Sequence, residues 1–489
     1  MRAGAGAGTR MIWTTLVSLA LSGCGGGGAS SPPSVSAPFN RVPSITSAAS
    51  ATFVENSTSV VYQATATDPD GDSLTLSLSG TDAARFTING AGEVRFVSAP
   101  NFEKPADADA DNAYTLQLSA SDGKASVSQT VTITVTNSKE GITVQRVATG
   151  FDHPVAIAPI PGGNQLMVAE RAGAIYIYDP ATQQRTLFVT IAGLTSADNQ
   201  GIISIAVHPD FPTRRVVYAL FAPSTDGRIA VRQLSNFNGV TGFAEFVVAR
   251  RILLSDDIAG WLGFGPNKVL YLAMGDPDGV VDANSAAQTL SSRLGKLLSF
   301  AGDFDPYAGA SVGTPLTTTV LARGLRKPGS GSFYAGGLLL PDRGYVREEV
   351  NALPLTPGTS DNLGWPFRDG TVAYAQGEPA GLVPPVLEYP RGTGTYAGQG
   401  ILGGLVYSGN NASLAGTYVF LDTTGAIFTV PLASLQRGTT LAASAFERRD
   451  LDFTPESGTI TQPVAVTQDA AGAIYIVCDN GDIFRADAN

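Results

Sequence analysis

From Ile142 onward the sequence repeats one pattern: an apolar strand, a turn of Pro, Asp or Gly, a second apolar strand, and a turn into a third. Nothing in this stretch sustains the 3.6-residue period of a helix. Six units share the pattern, at residues 153–179, 201–221, 260–276, 336–344, 403–430 and 462–486. One unit about every 58 residues is typical of a β-propeller blade with long loops. The pattern therefore predicts an all-β fold, with a six-bladed β-propeller over residues 142–489.

The first and last of these units are the most alike, since both contain the letters AGAIYI, at 172–177 and 471–476. This likeness is expected if the two ends meet to close a ring, because closure removes the exposed edge strands of an open sheet. The composition agrees with short strands joined by tight turns: the chain has 56 glycines, and only 15% of its residues are charged.

Residues 44–138 carry a different signal, a period-two alternation of apolar and polar residues, as in YTLQLSASD and VSQTVTITVTN. Short alternating strands separated by turns predict a small β-sandwich. Six acidic residues of its loops could supply the oxygen ligands that Ca²⁺ prefers: Glu55, Asp68, Asp70, Glu103, Asp107 and Asp109. The alternative interpretation is that these carboxylates are solvated loop residues on a spacer domain.

The motifs VENST, ATDPDGD and NFE, with SDG and VTITVTN at the end, make this stretch similar to a single cadherin-like repeat. The resemblance implies a calcium-binding spacer or an adhesion module with a protein partner. It departs from tandem repeats at its end, where Asn137-Ser138-Lys139-Glu140 stands in place of the acidic linker that binds calcium between neighbouring repeats.

The N-terminus predicts export. Two arginines precede an apolar run at 11–21 that is too short to span a bilayer. The Leu-Ser-Gly-Cys that follows resembles the lipobox of bacterial lipoproteins, which implies removal of residues 1–23, acylation of Cys24, and a lipid anchor in the bacterial cell envelope. Residues 24–43 are rich in Gly, Ser and Pro and predict a flexible tether.

Charge and cysteine content narrow the class of protein further. A formal net charge of −11 argues against nucleic acid as a partner. The chain has two cysteines, so acylation of Cys24 leaves Cys478 as the single thiol and excludes an internal disulfide. Cys478 follows the apolar run AIYIV, which predicts a small residue of the core.

The propeller stretch, from about Val144 to Ala486, resembles the soluble quinoprotein glucose dehydrogenases, also called glucose/sorbosone or aldose sugar dehydrogenases. The resemblance rests on motifs in a fixed order, among them GFDHPVAIAPIPGGNQLMVAERAG, NQGIISIAVHPDF, FGPNKVLYLAMGD, ARGLRKP, REEVN and DNLGWPFRDG. It implies a six-bladed propeller that holds pyrroloquinoline quinone (PQQ) and Ca²⁺ on one face. It also implies a histidine that takes the proton of a sugar hydroxyl while hydride passes to the quinone.

The resemblance assigns several residues to this site. Gln200 and Arg326 match positions that contact the cofactor, and Lys327 replaces an asparagine next to that arginine. The three carboxylates of PQQ require cationic partners, a role that Arg326 and Lys327 are expected to fill. Gly344 and Tyr345 lie where backbone carbonyls hold the calcium ion in the family.

The catalytic base is where this sequence departs from the family pattern. The pattern His-x-Gly-Gly-Arg-Leu reads DIAGWL at residues 257–262, so Asp257 stands in place of the histidine and Trp261 in place of the arginine. Asp257 is therefore the candidate base, with Arg326 as the second catalytic candidate. A carboxylate can accept a proton when burial raises its pKa, but the same residue could lie in an inert pocket or a solvated loop.

Two classes of function follow. The first is a PQQ-dependent dehydrogenase that oxidises the C1 hydroxyl of a sugar, with Asp257 in place of the usual histidine. The alternative is a non-catalytic, surface-anchored propeller that binds carbohydrate or protein, with the cadherin-like domain as a calcium-binding spacer.

Overall fold

The computed structural model describes residues 39–196, 200–223, 228–237, 239–250, 258–276, 286–301, 317–356, 358 and 360–488. Two predicted functional residues, Cys24 and Asp257, lie outside the described residues. The helices within them are single turns, one α-helical and four 3-10: Phe211–Arg214, Ala83–Arg85, Lys139–Gly141, Leu432–Ser434 and Ala443–Ala445. In the part of the chain that is described, no helix has the length and apolar character needed to cross a bilayer.

The N-terminal domain is a β-sandwich. Its larger sheet has four strands, in the order Ser50–Val54, Ser126–Thr136, Ala113–Ser121 and Thr75–Ser79. The first pair of this sheet is parallel and the other pairs are antiparallel. A three-stranded sheet and a two-stranded ribbon complete the domain: Tyr62–Gln63, Glu93–Phe96 and Phe86–Ile88, then Ser44–Ile45 and Ala66–Thr67.

The core of this domain follows from the period-two alternation seen in the sequence. Along the strand Ala113–Ser121, Tyr114, Leu116 and Leu118 are buried while the residues between them face outward. They meet aromatic residues of the smaller sheet, where the rings of Phe86 and Phe96 lie 4.3 Å apart. The predicted β-sandwich is therefore confirmed.

The main part of the second domain consists of six sheets in the described part of residues 142–488, here called sheets 1 to 6 in chain order, each with four antiparallel strands. The strands of sheets 1 to 3 are Pro154–Pro159, Leu166–Glu170, Ala174–Asp179 and Gln184–Thr190; Gly201–Val207, Val216–Ala222, Arg228–Phe237 and Val240–Arg250; and Gly260–Phe264, Leu270–Met274, Lys296–Ala301 and Thr317–Arg323, with Asp361–Asn362 added at the outer edge of sheet 3.

The strands of sheets 4 to 6 are Ser332–Tyr334, Gly337–Arg343, Arg347–Leu353 and Leu387–Pro390; Ile401–Val406, Thr417–Asp422, Ile427–Pro431 and Glu447–Arg448; and Pro463–Gln468, Ile474–Cys478, Ile483–Ala488 and Ile142–Ala148. A small ribbon of Arg368–Asp369 and Val372–Ala373 lies in the connection that follows the third strand of sheet 4.

The sheets form a closed ring. Six hydrophobic clusters are each shared by two successive sheets, and the last is shared by sheets 6 and 1. The strand Ile142–Ala148, from the start of the domain, pairs antiparallel with Ile483–Ala488 from its end. The all-β class and the propeller are thus confirmed, and the two ends of the domain meet as the sequence predicts.

One acidic residue recurs where the second strand of a sheet ends. Glu170, Asp342 and Asp422 occupy this place in sheets 1, 4 and 5. Each accepts a hydrogen bond from a backbone N–H of the segment that enters the first strand of its own sheet: from Asp152 at 2.9 Å, Arg326 at 2.8 Å and Gly400 at 2.9 Å. These buried acids fix the loops at one end of the propeller, because a buried N–H without an acceptor would be costly.

Candidate functional site

The first strands of the sheets surround a central channel of about 860 Å³. Because the first and second strands of each sheet are antiparallel, the segment that enters the first strand and the one that leaves the second lie at the same end of the channel. This end, here called the entry face, is lined by Arg171, Gln200, Lys327, Arg343 and Thr423. The turns between first and second strands, with Lys268, line the other end.

The described lining of the channel is cationic. Its charged residues are Arg171, Lys268, Lys327 and Arg343, and the described lining residues include no Asp, Glu, His or Tyr. The positive charge of the lining does not follow from the overall composition, because the chain as a whole has a net charge of −11. Channel walls of one charge sign attract ligands of the other sign, so this channel favours an anion.

Lys327 and Arg343 are neighbours in the entry face, where the backbone N–H of Arg343 donates a 3.0 Å hydrogen bond to the carbonyl of Lys327. Burial, with the charges of Arg343 and Arg391, lowers the pKa of Lys327 to about 8. Burial also lowers the pKa of Arg343, and among the described residues its Nε has no hydrogen-bond partner. An anion that bound here would relieve the repulsion between these cations and accept a hydrogen bond from Arg343.

Arg326, a predicted cofactor ligand and catalytic residue, lies next to the entry face but not in its lining. It is buried, and its Nη1 donates a 2.7 Å hydrogen bond to the backbone carbonyl of Arg343. Its guanidinium stacks on the ring of Tyr345 at 3.5 Å from the centroid, with Trp365 at 5.4 Å. In this arrangement Arg326 supports the loop that carries Arg343 and Tyr345.

The loop with the predicted calcium ligands Gly344 and Tyr345 already contacts a cation. The carbonyl of Gly344 accepts a 3.0 Å hydrogen bond from Nη1 of Arg391, which also pairs with Glu348. The N–H of Tyr345 donates to the carboxylate of Asp369 at 2.7 Å. A guanidinium at this place repels a calcium ion, so the residues present do not fit a metal at Gly344.

Gln200 lines the channel, whereas the two histidines of the chain, His153 and His208, lie outside its lining. Gln200 lines the entry face, and its Oε1 accepts a 3.2 Å hydrogen bond from the hydroxyl of Thr195. His153 faces Asp479 at 3.3 Å on the exposed surface, and Nδ1 of His208 accepts a 3.0 Å hydrogen bond from the N–H of Asp210. Neither histidine lines the channel.

Two of the predicted metal ligands in the sandwich, Glu55 and Glu103, come together with Glu140. A carboxylate oxygen of each lies within 4.8 Å of one from both others. Burial, followed by the charges of Asp452 and Glu55, raises the pKa of Glu103 to about 8.

The other predicted metal ligands lie in two separate groups. Asp107 and Asp109 form an acidic group with Asp111, and both oxygens of Asp107 accept hydrogen bonds from its own loop. Asp68 accepts backbone N–H bonds within its own turn, and Asp70 pairs with an arginine, Arg41, at 2.8 Å.

Comparison with known proteins identifies the family. The sequence model for glucose/sorbosone dehydrogenases matches residues 151–414, which is more than half of the chain. The chain belongs to this family. Residues 40–136 match the bacterial Ig domain, which agrees with the sandwich described above.

Curated relatives of this glucose/sorbosone dehydrogenase family member include the mouse (Mus musculus) Hedgehog-interacting protein, 24% identical over 324 residues, which cover 59% of this chain and 44% of that protein. The HIPL2 protein of Arabidopsis thaliana is 25% identical over 371 residues, which cover 58% of this chain and 52% of that protein. The chain thus spans about half or less of the length of these relatives.

Solved structures show the same fold. The PQQ-bound aldose sugar dehydrogenase of Streptomyces coelicolor aligns with a TM-score of 0.53 and 22% identity, over 71% of this chain and 98% of that one. The apo aldose sugar dehydrogenase of Escherichia coli aligns with a TM-score of 0.53 and 18% identity, over 71% of this chain and all of that one. The second domain is therefore a sugar dehydrogenase-like propeller.

The sequence reasoning missed two cations of the entry face, Arg171 and Arg343. Both lie at the end of the second strand of their unit, directly after the recurring acids Glu170 and Asp342. Alignment of the units that carry this acid would have placed both arginines at one end of the channel.

Proposed function

We propose that the propeller binds PQQ at the entry face and uses it to oxidise an aldose at C1. The observation that supports this function is the cationic lining of the channel in an otherwise acidic chain. Lys327, Arg343 and Arg171 would pair with the three carboxylates of the cofactor, and Gln200 would donate a hydrogen bond to it. When bound, PQQ supplies the hydride acceptor that no side chain can provide.

Asp257 is the proposed base for the C1 hydroxyl proton. The described lining offers no carboxylate, histidine or tyrosine for this role, and Asp257 directly precedes Ile258, which lines the channel. Arg326 is a positioning residue in this proposal, because its contacts with Tyr345 and with the carbonyl of Arg343 hold the entry-face loop. No step uses a metal at Gly344.

The experiment is a titration of the purified protein with PQQ in a calorimeter, followed by a dye-reduction assay with a panel of aldoses. We expect binding, sugar-dependent dye reduction, and loss of dye reduction in Asp257→Ala with PQQ affinity retained. Asp257→His, which restores the family residue, is the matched variant and should keep or raise the rate. Absence of PQQ binding would refute the proposal, and an unchanged rate in Asp257→Ala would remove Asp257 as the base.

A second candidate is a propeller that binds an anionic carbohydrate or protein group without turnover. It is favoured by the absence of any proton-accepting carboxylate, histidine or tyrosine among the described lining residues. The Hedgehog-interacting proteins are named for an interaction rather than for a reaction. PQQ binding without dye reduction for any aldose would favour this second function.

The N-terminal segment completes the proposal. The lipobox-like sequence ending at Cys24 supports a lipid-anchored protein of the bacterial cell envelope, with the sandwich as a spacer between membrane and propeller. Metabolic labelling with a radioactive fatty acid is expected to label the wild-type chain and not Cys24→Ala. Equal labelling of both chains would contradict the anchor.

A further inference from the structure

Two exposed tyrosines lie together at the entry-face end of the propeller. Tyr345 follows the second strand of sheet 4, and Tyr374 follows the ribbon of Arg368–Asp369 and Val372–Ala373. Tyr345 is 48% exposed and Tyr374 is 37% exposed, and Phe243 of sheet 2 is the one other exposed large aromatic residue in the described part of the propeller. Exposed apolar surface beside a cavity is typical of a ligand-binding site.

The two tyrosine rings contact each other and a buried tryptophan. Their centroids lie 6.0 Å apart, and their planes are 8° from parallel. Trp365, which is 3% exposed, lies with its ring centroid 5.8 Å from that of Tyr345 and 5.4 Å from that of Tyr374. The three residues, here called the aromatic platform, thus present two exposed rings that pack on a buried one.

The surrounding backbone holds both tyrosines in place. The N–H of Tyr345 donates to the carboxylate of Asp369 at 2.7 Å, and the N–H of Tyr374 donates to the carbonyl of Phe367 at 2.8 Å. The guanidinium of Arg326 stacks on the ring of Tyr345 at 3.5 Å from its centroid. Because the platform is fixed before a ligand arrives, binding has little conformational entropy to overcome.

Polar groups lie beside the platform. Arg368, which is paired with Ala373 in the ribbon, donates two hydrogen bonds to the carboxylate of Glu378, at 2.9 and 3.0 Å. Both side chains are partly exposed, and the carboxylate of Glu378 keeps lone pairs for further donors. Aromatic faces next to a few polar groups suit a sugar, since a sugar ring has an apolar C–H face and a rim of hydroxyl groups.

The platform adjoins the channel. Lys327 and Arg343 line the entry face; Arg326, which stacks on Tyr345, is next to Lys327 in the chain, and Tyr345 follows Arg343 by two residues. An aldose that is oxidised at C1 must point its reducing end towards the cofactor. Any further sugar unit therefore extends out of the channel, at the end where the platform lies.

We propose that the aromatic platform is a second sugar subsite, and that the substrate is an oligosaccharide whose reducing-end unit enters the channel while the next unit stacks on Tyr374. This inference rests on the proposed function and names its substrate class. The stacked unit is remote from the reacting carbon, so it binds equally well in the ground state and in the transition state. Such binding lowers KM and leaves kcat unchanged.

The kinetic test compares glucose, maltose and cellobiose in the dye-reduction assay of the PQQ-loaded protein. The wild type should have a KM for at least one disaccharide about tenfold below that for glucose, as expected for one stacked ring. Tyr374→Ala should raise that KM about tenfold and leave kcat and both constants for glucose unchanged. Tyr374→Phe, which keeps the ring, is the matched control and should behave as the wild type.

A binding test without cofactor separates the subsite from the dehydrogenase. Maltotriose and cellotriose are titrated into the PQQ-free protein, and tryptophan fluorescence is recorded because Trp365 belongs to the platform. At least one trisaccharide should change the fluorescence of the wild type and of Tyr374→Phe, but not that of Tyr374→Ala. Binding of this kind without turnover of any aldose would support the subsite and refute the dehydrogenase.

The opposite outcome would refute the subsite alone. In an active enzyme, equal KM values for glucose and both disaccharides, or a disaccharide KM that Tyr374→Ala leaves unchanged, would overturn it. Absence of a fluorescence change with either trisaccharide in the PQQ-free wild type would overturn it as well, whether or not the protein oxidises glucose.

Discussion

Because the pKa of Lys327 is lowered, we expect the protein to take up protons when it binds PQQ. In the ligand-free protein this pKa is about 8, because burial and the charges of Arg343 and Arg391 disfavour the ammonium form. A carboxylate of the ligand placed beside Lys327 favours the ammonium form and raises that pKa. Binding of an anion at pH 8 should therefore draw a proton onto Lys327.

The size of the effect follows from the pKa. At pH 8 about half of the Lys327 side chains are neutral before binding, so complete protonation on binding takes up about half a proton. At pH 7 the uptake falls to about a tenth of a proton, and below pH 6 it is negligible. Lys327→Asn, which restores the family residue, should remove this uptake and weaken PQQ binding about tenfold or more, as loss of a charge-assisted hydrogen bond does.

The assay is calorimetric titration with PQQ at pH 8 in two buffers of different ionisation enthalpy. The difference between the observed enthalpies gives the number of protons taken up. Glu348 and Asp342, whose pKa values are raised to about 7 by burial, can also take up protons. Both residues are present in the wild type and in Lys327→Asn, so the difference between the two proteins reports on Lys327. Lys268→Asn, at the other end of the channel, is the control. Equal proton uptake in the wild type and Lys327→Asn would refute the reasoning.

Three further predictions concern the fold. Arg449→Met should lower the free energy of unfolding, measured in urea, by about 3–5 kcal/mol because it leaves buried carboxylates unpaired. Arg448→Met, which removes a partly exposed ion pair, should lower it by less than about 1 kcal/mol. Equal losses of stability in the two variants would contradict this prediction. Gly263→Ala places a Cβ 2.1 Å from the ring of Trp261 and should lower the melting temperature, with rescue by Trp261→Leu. Cys478, buried with a pKa raised to about 11, should react with a thiol reagent only after unfolding; labelling of the folded chain would refute its burial.

The fold was predictable because its signals are local. Each hairpin carries its own pair of short apolar strands and its own turn, so a unit such as 260–276 can be recognised without the rest of the chain. Ring closure could be inferred as well, from the AGAIYI sequence that the first and last units share. What the sequence did not reveal was which strand closes the ring: Ile142–Ala148 precedes the first recognised unit and joins the last sheet.

The candidate sites were less predictable because their residues come from distant parts of the chain. Arg449 pairs with Glu140 across 309 positions, and no periodicity links the two. Glu140, in the segment that replaces the acidic linker, likewise meets Glu55 and Glu103, which are far from it in the sequence. Sequence patterns assign residues to elements, but the meeting of two domains depends on packing that no single motif encodes.

The entry face supplies positive charge without a metal, and this determines how PQQ binding should respond to metal removal. At the entry face, the positive charge comes from side chains. The carbonyl of Gly344, which a calcium ion would need as a ligand, already accepts a hydrogen bond from the guanidinium of Arg391. EGTA should therefore leave the affinity for PQQ unchanged. A loss of PQQ affinity in EGTA would mean that calcium acts at the channel, against the contacts of Gly344.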